Sequence, residues 1–111
     1  MTDVAASNVE PDNGPYEIEF DHEALVDLRE YRPHDQKMIA DGIIEQLTYE
    51  PTVETRHRKL LRPNPVARWE LRLGEFRIFY NVEQNLVTVL VVAIGHKEHN
   101  RLHIRDQRVK L

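Results

Sequence analysis

The chain has 111 residues, of which 41% are hydrophobic and 31% charged, and its net charge is −4. This size and composition indicate one globular domain with a modest core and exclude a chain disordered throughout. No apolar run approaches the about 20 residues of a membrane helix, the N-terminus lacks a signal-peptide pattern and cysteine is absent. We therefore expect a cytoplasmic protein without disulfides, thiol chemistry or a membrane partner.

The charges are divided unevenly along the chain. Residues 1–53 contain three Lys or Arg against thirteen Asp or Glu, whereas residues 54–111 contain twelve against six. Such an asymmetry favours an anionic partner for the basic half. A strongly basic nucleic-acid binder would usually be basic overall, and this chain is not.

The first half of the chain predicts a strand followed by two helices. Residues 1–15 are small, polar and acidic, and are predicted to form a disordered arm. Alternating apolar and acidic residues predict a strand over 16–20, and apolar residues at helical spacing predict helices over about 22–31 and 34–48. Gly42 lies inside the second helix, where close packing is the one reason we find for it.

The second half predicts strands and basic segments. Residues 51–66 are expected to form a basic loop, and residues 68–80 a β-hairpin whose Gly-Glu loop at 74–75 is typical of a type II′ turn. Residues 86–94 are apolar throughout, which predicts a central strand covered on both faces and ended by the following glycine. The tail 96–111 adds positive charge near the carboxyl end of the sheet.

The predicted hairpin has two chemically opposite faces, because side chains alternate along a strand. One face carries only apolar residues, and the other carries the set Arg68, Glu70, Arg72, Arg77 and Phe79. Like charges directly across a hairpin are unfavourable, so Arg72 opposite Arg77 suggests a surface that meets anions. The alternative, a solvated face of a half-buried sheet, is equally common.

The resulting order, β-α-α-β-β-β, predicts an α+β fold with two N-terminal helices packed on one face of an antiparallel sheet. The other face is left to solvent or ligand. Helical spacing of His96, His99 and His103 would suit zinc. The preceding glycine and the lack of thiolate or carboxylate partners disfavour that site, and no metal or cofactor is predicted.

The element order and three motifs resemble the RelE/ParE superfamily of type II toxin–antitoxin toxins. The motifs are W-E-L-R at 69–72, G-E-F-R-I-F-Y at 74–80, and an apolar strand that runs into G-H-K-E-H at 95–99. The resemblance covers about residues 16–104 and implies a single toxin domain over 16–111. RelE-like members are ribosome-dependent endoribonucleases that cut mRNA in the A site and so inhibit translation, whereas ParE-like members poison DNA gyrase. Both are neutralised by a cognate antitoxin.

The same resemblance implies the catalytic residues. Arg77 matches the arginine that contacts the scissile phosphate in RelE-like enzymes, Lys97 stands in place of a second catalytic arginine, and Arg68 in place of a lysine. Glu70 and His103 depart from the RelE pattern, since they occupy the positions of another lysine and a C-terminal tyrosine. Other ribonuclease branches of the superfamily use Glu and His.

These residues supply each role in RNA cleavage without a metal. Glu70 would be the base, Arg77 and Arg68 the phosphate clamp, and His103 or His99 the acid. RNA-binding contacts are further expected from Arg72, Phe79, Lys59, Arg62, His99 and Arg101, with the phenylalanine stacking on a base. Three alternatives stay open: an ion pair for Glu70, a surface histidine at 103, and a ParE-like gyrase poison or non-catalytic partner-binding protein. The expected partners are a cognate antitoxin, the ribosome and mRNA.

Overall fold

A computed structural model of the chain describes residues 14–105 and 107–111, so most of the predicted arm lies outside the described residues. No helix within these ranges is long and apolar enough to cross a membrane. The elements, in chain order, are β1 (Glu17–Phe20), α1 (His22–Arg29), α2 (Pro33–Leu47), β2 (Arg58–Leu60), β3 (Trp69–Leu73), β4 (Phe76–Glu83), a 3-10 turn (Gln84–Leu86), β5 (Thr88–Glu98), β6 (Arg101–Ile104) and β7 (Gln107–Val109).

The strands of the described residues form one seven-stranded sheet in the order β2-β3-β4-β5-β6-β7, and each of these neighbours is antiparallel. β1 pairs in parallel with the first half of β5, and β6 pairs with the last three residues of β5. The α+β class, with helices packed against an antiparallel sheet, is confirmed. The long strand β5 is thus the central strand of the sheet: β4 pairs along one of its edges, and β1 and β6 pair with the two ends of the other edge.

The helices begin where the sequence provides suitable first residues. Asp21 caps α1, since its carboxylate accepts a hydrogen bond from the His22 amide at 3.0 Å. α2 begins with Pro33, whose missing N–H costs no helical hydrogen bond at that position. The buried side chains of α2, one turn apart, are Ile39, Ile43 and Leu47. They form the main core together with the apolar face of the hairpin.

Gly42 has a packing reason. The Leu73 side chain lies directly against it, and a Cβ atom at position 42 would lie 2.5 Å from Leu73 Cδ1. The glycine therefore lets the end of β3 approach α2 closely. This contact accounts for the loss of about 1 kcal/mol of helix propensity relative to alanine.

The hairpin has the predicted register. Trp69 pairs with Tyr80, Arg72 with Arg77 and Leu73 with Phe76. Gly74 adopts φ +60°, as a glycine-first turn requires. The predicted apolar face lies under the helices, where the indole of Trp69 stacks on the ring of Tyr80 at a centroid separation of 6.1 Å.

Three predicted boundaries are wrong. Part of the basic loop 51–66 forms β2, which pairs with β3. β5 continues through Gly95 to Glu98, and much of the tail forms β6 and β7. The strand does not end at the glycine because that glycine makes room for β6. A Cβ there would collide with the His103 carbonyl oxygen and lie 2.8 Å from Ile104 Cγ1.

The sheet face away from the helices is not left open along its whole length. A second apolar cluster covers its middle and is formed by Ala67, Phe79, Ala93, Leu102 and Ile104. The register between β4 and β5 shifts by one residue at Phe79, so that Val92 and Ala93 both turn to this side. The predicted coverage of β5 on both faces is confirmed by these contacts.

Candidate functional site

A cavity of about 660 Å³ opens on the same face, beside the second apolar cluster. Five basic side chains and one carboxylate line it: Glu70 and Arg72 from β3, Lys97 from β5, Arg101 from β6, and Arg108 and Lys110 from the C-terminal segment. Because one carboxylate faces five cations, the cavity is suited to an anion.

Strand geometry brings these residues together. Glu70 and Arg72 are two positions apart on β3, so both side chains point away from the helices. Lys97 lies on the same side at the end of β5, and its amide donates to the Glu75 carbonyl of the hairpin loop at 2.8 Å. The pairing of Glu98 with Arg101 then places β6 along the rim.

Glu70 is the buried group of the cavity. Its residue surface is 5% exposed, and its Oε1 accepts a hydrogen bond from Arg72 Nε at 2.8 Å. The backbone of Arg72 is itself held by His57, whose carbonyl oxygen accepts from the Arg72 amide at 2.8 Å. The ion pair left open by the sequence is therefore present, and it fixes the carboxylate at the wall of the cavity.

Arg77 lies beside this cavity and does not line it. Its Nη1 donates to the carbonyl oxygens of Gly74 at 2.7 Å and Phe76 at 3.0 Å, so the guanidinium folds over the end of the hairpin. Its Nε is buried and has no hydrogen-bond partner among the described residues. Burial lowers the pKa of Arg77, an effect that nearby Glu70 opposes. As predicted, the side chain points away from the helices.

His103 lies on the helix side of the sheet, which corrects its predicted role as an acid at this site. Its ring stacks on His96 at a centroid separation of 5.4 Å, and His96 Nδ1 shares a 2.8 Å hydrogen bond with the Tyr31 hydroxyl. Leu102 turns toward the cavity side, so strand alternation sends His103 the other way. His99 lies in the β5–β6 turn, outside the cavity lining.

The histidines also do not form the helical row that would suit zinc, because residues 96–103 form two strands and a turn. Within the described ranges, no group of three His, Cys, Asp or Glu could hold a metal ion.

Phe79 is fully buried in the second apolar cluster. It points to the predicted side of the sheet, but the segment 61–67 and the C-terminal residues cover it. This corrects the expectation that its ring stacks on a nucleotide base, because no part of the ring reaches solvent.

The remaining predicted residues lie at two places. Arg62 and Arg68 line a separate cavity of about 500 Å³ under the loop between β2 and β3. Lys59 is exposed on β2 directly opposite Glu70. The catalytic set expected from the sequence is thus divided between two cavities, the hairpin end beside the first of them, where Arg77 lies, and the helix side of the sheet.

Sequence reasoning missed Arg108 and Lys110 as site residues. The tail was expected to add positive charge without a defined place. Nothing in the short segment Gln107–Val109 indicated a strand, since its three residues carry no turn signal or apolar alternation. The positive charge of the tail was the one available signal.

The two sides of the molecule differ in charge. The exposed acidic residues of the helices and the C-cap of α1 are Glu23, Glu30, Asp41 and Glu45, against the exposed basic residues Arg29, Arg32 and Lys37, whereas the far side of the sheet carries the cationic cavity. The uneven charge of the two halves of the chain therefore becomes a difference between two faces of the protein.

Known proteins share this fold. The model of a family described as the ParE toxin of type II toxin–antitoxin systems, parDE, matches residues 18–101. The toxin–antitoxin complex RelBE2 from Mycobacterium tuberculosis is 25% identical, with a TM-score of 0.64 over 75% of this chain and 99% of that one. No curated protein sequence matches the chain significantly.

Two E. coli structures are also similar. A chain of the intact RelBE toxin–antitoxin complex is 26% identical to this chain, with a TM-score of 0.61. The match covers 76% of this chain and 99% of the RelBE chain. The isolated RelE toxin is 24% identical, with a TM-score of 0.61, and covers 76% of this chain and 86% of that one. At 24% identity, the match to the isolated RelE toxin shows the fold alone.

Proposed function

We propose that this chain, which belongs to the ParE toxin family of type II toxin–antitoxin systems, is a toxin that cleaves ribosome-bound mRNA and so inhibits translation, as RelE-like members of the superfamily do. A cognate antitoxin is the partner that its similarity to toxin–antitoxin complexes supports. The proposal also includes the endoribonuclease activity and the ribosome as a second partner.

The observation that carries the proposal is the buried Glu70 in a cavity that five basic side chains also line. A carboxylate inside a phosphate-binding cavity repels the ligand, so its presence there calls for a further role. In RNA cleavage a carboxylate has a use, because the attacking 2′-hydroxyl must lose a proton beside the phosphate that it attacks. The pairing of Glu70 with Arg72 keeps a candidate base and a candidate phosphate-binding group side by side.

The chemistry needs no further reactant. The 2′-oxygen attacks the adjacent phosphorus while Glu70 takes its proton, and the bond from phosphorus to the 5′-oxygen breaks. Lys97 gives a proton to the departing 5′-oxygen, which leaves a 2′,3′-cyclic phosphate and a 5′-hydroxyl. Arg72 and Arg101 stabilise the negative charge on the phosphorane, and the charge of Arg77 beside the cavity adds to theirs.

The test is cleavage of mRNA on purified ribosomes, mapped at single-nucleotide resolution. We expect Glu70→Gln to lower the rate by about 10²–10⁴-fold, the usual contribution of a positioned base, while RNA binding persists. Glu75→Gln removes an exposed carboxylate from the hairpin loop and is the matched control. A Glu70→Gln protein that cleaves at the wild-type rate would overturn the assignment of the base.

A second candidate function follows from two observations. No described histidine lines the cavity, and the carboxylate already has an arginine partner. Such a site would also suit a toxin that binds a target without cleaving it, including a gyrase poison. Growth arrest on induction, with intact mRNA and with DNA damage, would favour the gyrase target. Arrest with neither would favour a binding protein.

A further inference from the structure

We propose that Arg62 and Arg68 form a second phosphate subsite, which holds the RNA strand where it leaves the cleavage cavity. The inference rests on the proposed function for the identity of the ligand, a single-stranded RNA backbone. The second subsite would define the path of the RNA strand out of the cleavage cavity. It would also separate residues that bind RNA from residues that cleave it.

The two cavities are neighbours. Leu61 lines both, so the cavity that contains Glu70 borders the cavity that contains Arg68. A strand that leaves the first cavity over Leu61 would therefore meet the two arginines of the second. The apolar surface of the leucine suits the sugar and base of the nucleotide between them.

The spacing along β3 agrees with this path. Glu70 and Arg72 alternate along one row of β3, and the carbonyl oxygen of Arg68, the residue before the strand, accepts from the Leu61 amide in continuation of the β2–β3 pairing. Four residues of extended chain span about 13 Å, so Arg68 lies about two phosphate steps of an extended single strand from Arg72. The carboxylate falls between the two guanidinium groups, where a phosphate would be repelled and a sugar hydroxyl would be accepted.

The loop that carries the arginines is held by its own hydrogen bonds. The Asn64 carboxamide accepts from the amides of Val66 at 2.7 Å and Ala67 at 3.1 Å, and it donates to the Arg62 carbonyl at 2.8 Å. The Arg68 amide donates to the Asn81 side chain, also at 2.8 Å. The backbone at both arginines is thus fixed before any ligand binds, which lowers the entropy cost of binding.

The two guanidinium groups are also available. Neither forms an ion pair with another described residue, and no described acidic side chain lines their cavity. Other arginines of the basic half have structural partners. Arg58 donates to the Gln46 and Val53 carbonyls, and Arg105 pairs with Asp27 and Glu23. This difference separates arginines that hold the fold from arginines free to bind phosphate.

The experiment measures binding without cleavage. A fluorescent eight-nucleotide RNA with 2′-O-methyl groups is titrated at several salt concentrations, and a dinucleotide with one phosphate serves as a competitor. The variants are R62Q/R68Q, the matched control R29Q/R32Q, which removes two exposed arginines from the helix side, and Lys97→Gln in the first cavity.

We expect R62Q/R68Q to lower the salt slope for the eight-nucleotide probe by about 1.4, since each lost phosphate contact removes about 0.7. Relative to equal affinities at 1 M salt, a slope lower by 1.4 makes the affinity of R62Q/R68Q about 25-fold weaker than that of the wild type at 0.1 M. The inhibition constant of the dinucleotide should not change in R62Q/R68Q, because one phosphate occupies only the first cavity, and it should weaken in Lys97→Gln.

The subsite is overturned if R62Q/R68Q keeps the wild-type slope, if R29Q/R32Q lowers the slope equally, or if the wild-type protein does not bind the probe. Failure of the proposed function has a different signature. In that case the wild-type protein leaves mRNA on ribosomes intact, while the eight-nucleotide probe still distinguishes the two pairs of arginines.

Discussion

The Glu70 carboxylate and the Arg72 guanidinium meet at 2.8 Å between residues two positions apart on one strand. The Glu70 side chain is 6% exposed and that of Arg72 43% exposed, so the carboxylate is the more deeply buried of the two groups. Truncating the arginine therefore has two effects: a phosphate contact is lost, and a buried carboxylate is left without its partner.

Arg72→Met is expected to lower the free energy of unfolding by about 1 kcal/mol, the low end of the cost of an unpaired buried group, because Arg72 itself is partly exposed. Adding Glu70→Gln to this variant should restore most of the loss, since a neutral amide costs less to bury unpaired. Urea unfolding of the two variants and the wild type measures both steps. A double variant no more stable than Arg72→Met would show that the ion pair does not account for the loss.

Gly95→Ala is expected to destabilise the protein by about 1–3 kcal/mol, the usual cost of overpacking. Its Cβ would collide with the carbonyl oxygen of His103, and backbone has little freedom to move away. The control is Gly74→Asn in the hairpin loop, where no atom lies within 4 Å and asparagine tolerates positive φ. If thermal unfolding shows equal losses in the two variants, steric contact with β6 is not the reason for the glycine.

Local rules were sufficient for the hairpin. Alternation and a glycine-first loop depend on residues that are adjacent in the chain, so the pairing of Leu73 with Phe76 and the outward direction of Arg77 followed from the sequence. The fold class followed for the same reason, because helix and strand periodicities are local signals.

The site was harder to predict because it depends on distant segments. Phe79 is buried by residues of the 61–67 loop and the C-terminal end, and no local pattern indicates that these two segments meet over β4. His103 was assigned a catalytic role because it occupies the position of a RelE tyrosine, whereas β6 pairing fixes it on the helix side. Long-range pairing therefore decided which of the predicted catalytic side chains share a cavity.

Phe79→Leu is expected to cost about 1 kcal/mol of stability and to leave the affinity for single-stranded RNA unchanged. If the ring stacked on a base, its loss would cost about 1–3 kcal/mol of binding energy. Anisotropy with the eight-nucleotide probe separates the two roles, and urea unfolding measures the stability. Leu86→Ala, at a residue 70% exposed, is the control for the loss of an apolar side chain and should change neither quantity.

Asp27 joins α1 to the sheet at a gap in the pairing of β5. Between the end of β1 and the start of β6, the Ile94 amide has no strand partner on that edge and donates to Asp27 Oδ2 at 3.0 Å. The other oxygen of the carboxylate lies 2.9 Å from Arg105 Nε. Burial raises the pKa of Asp27 above its ordinary value of 3.8, and these two contacts lower it by less.

Asp27→Asn is expected to change how stability depends on pH. Because the pKa of Asp27 is higher in the folded protein than in the unfolded chain, the folded state binds this proton more tightly. Its contribution is fully present below pH 3.8 and is lost as the pH rises through the folded pKa, with a slope of at most about 1.4 kcal/mol per pH unit. The difference in unfolding free energy between wild type and variant should therefore fall with rising pH above 3.8 and then become constant. A difference that instead grows over this range in urea unfolding would show that the Ile94 and Arg105 contacts outweigh burial.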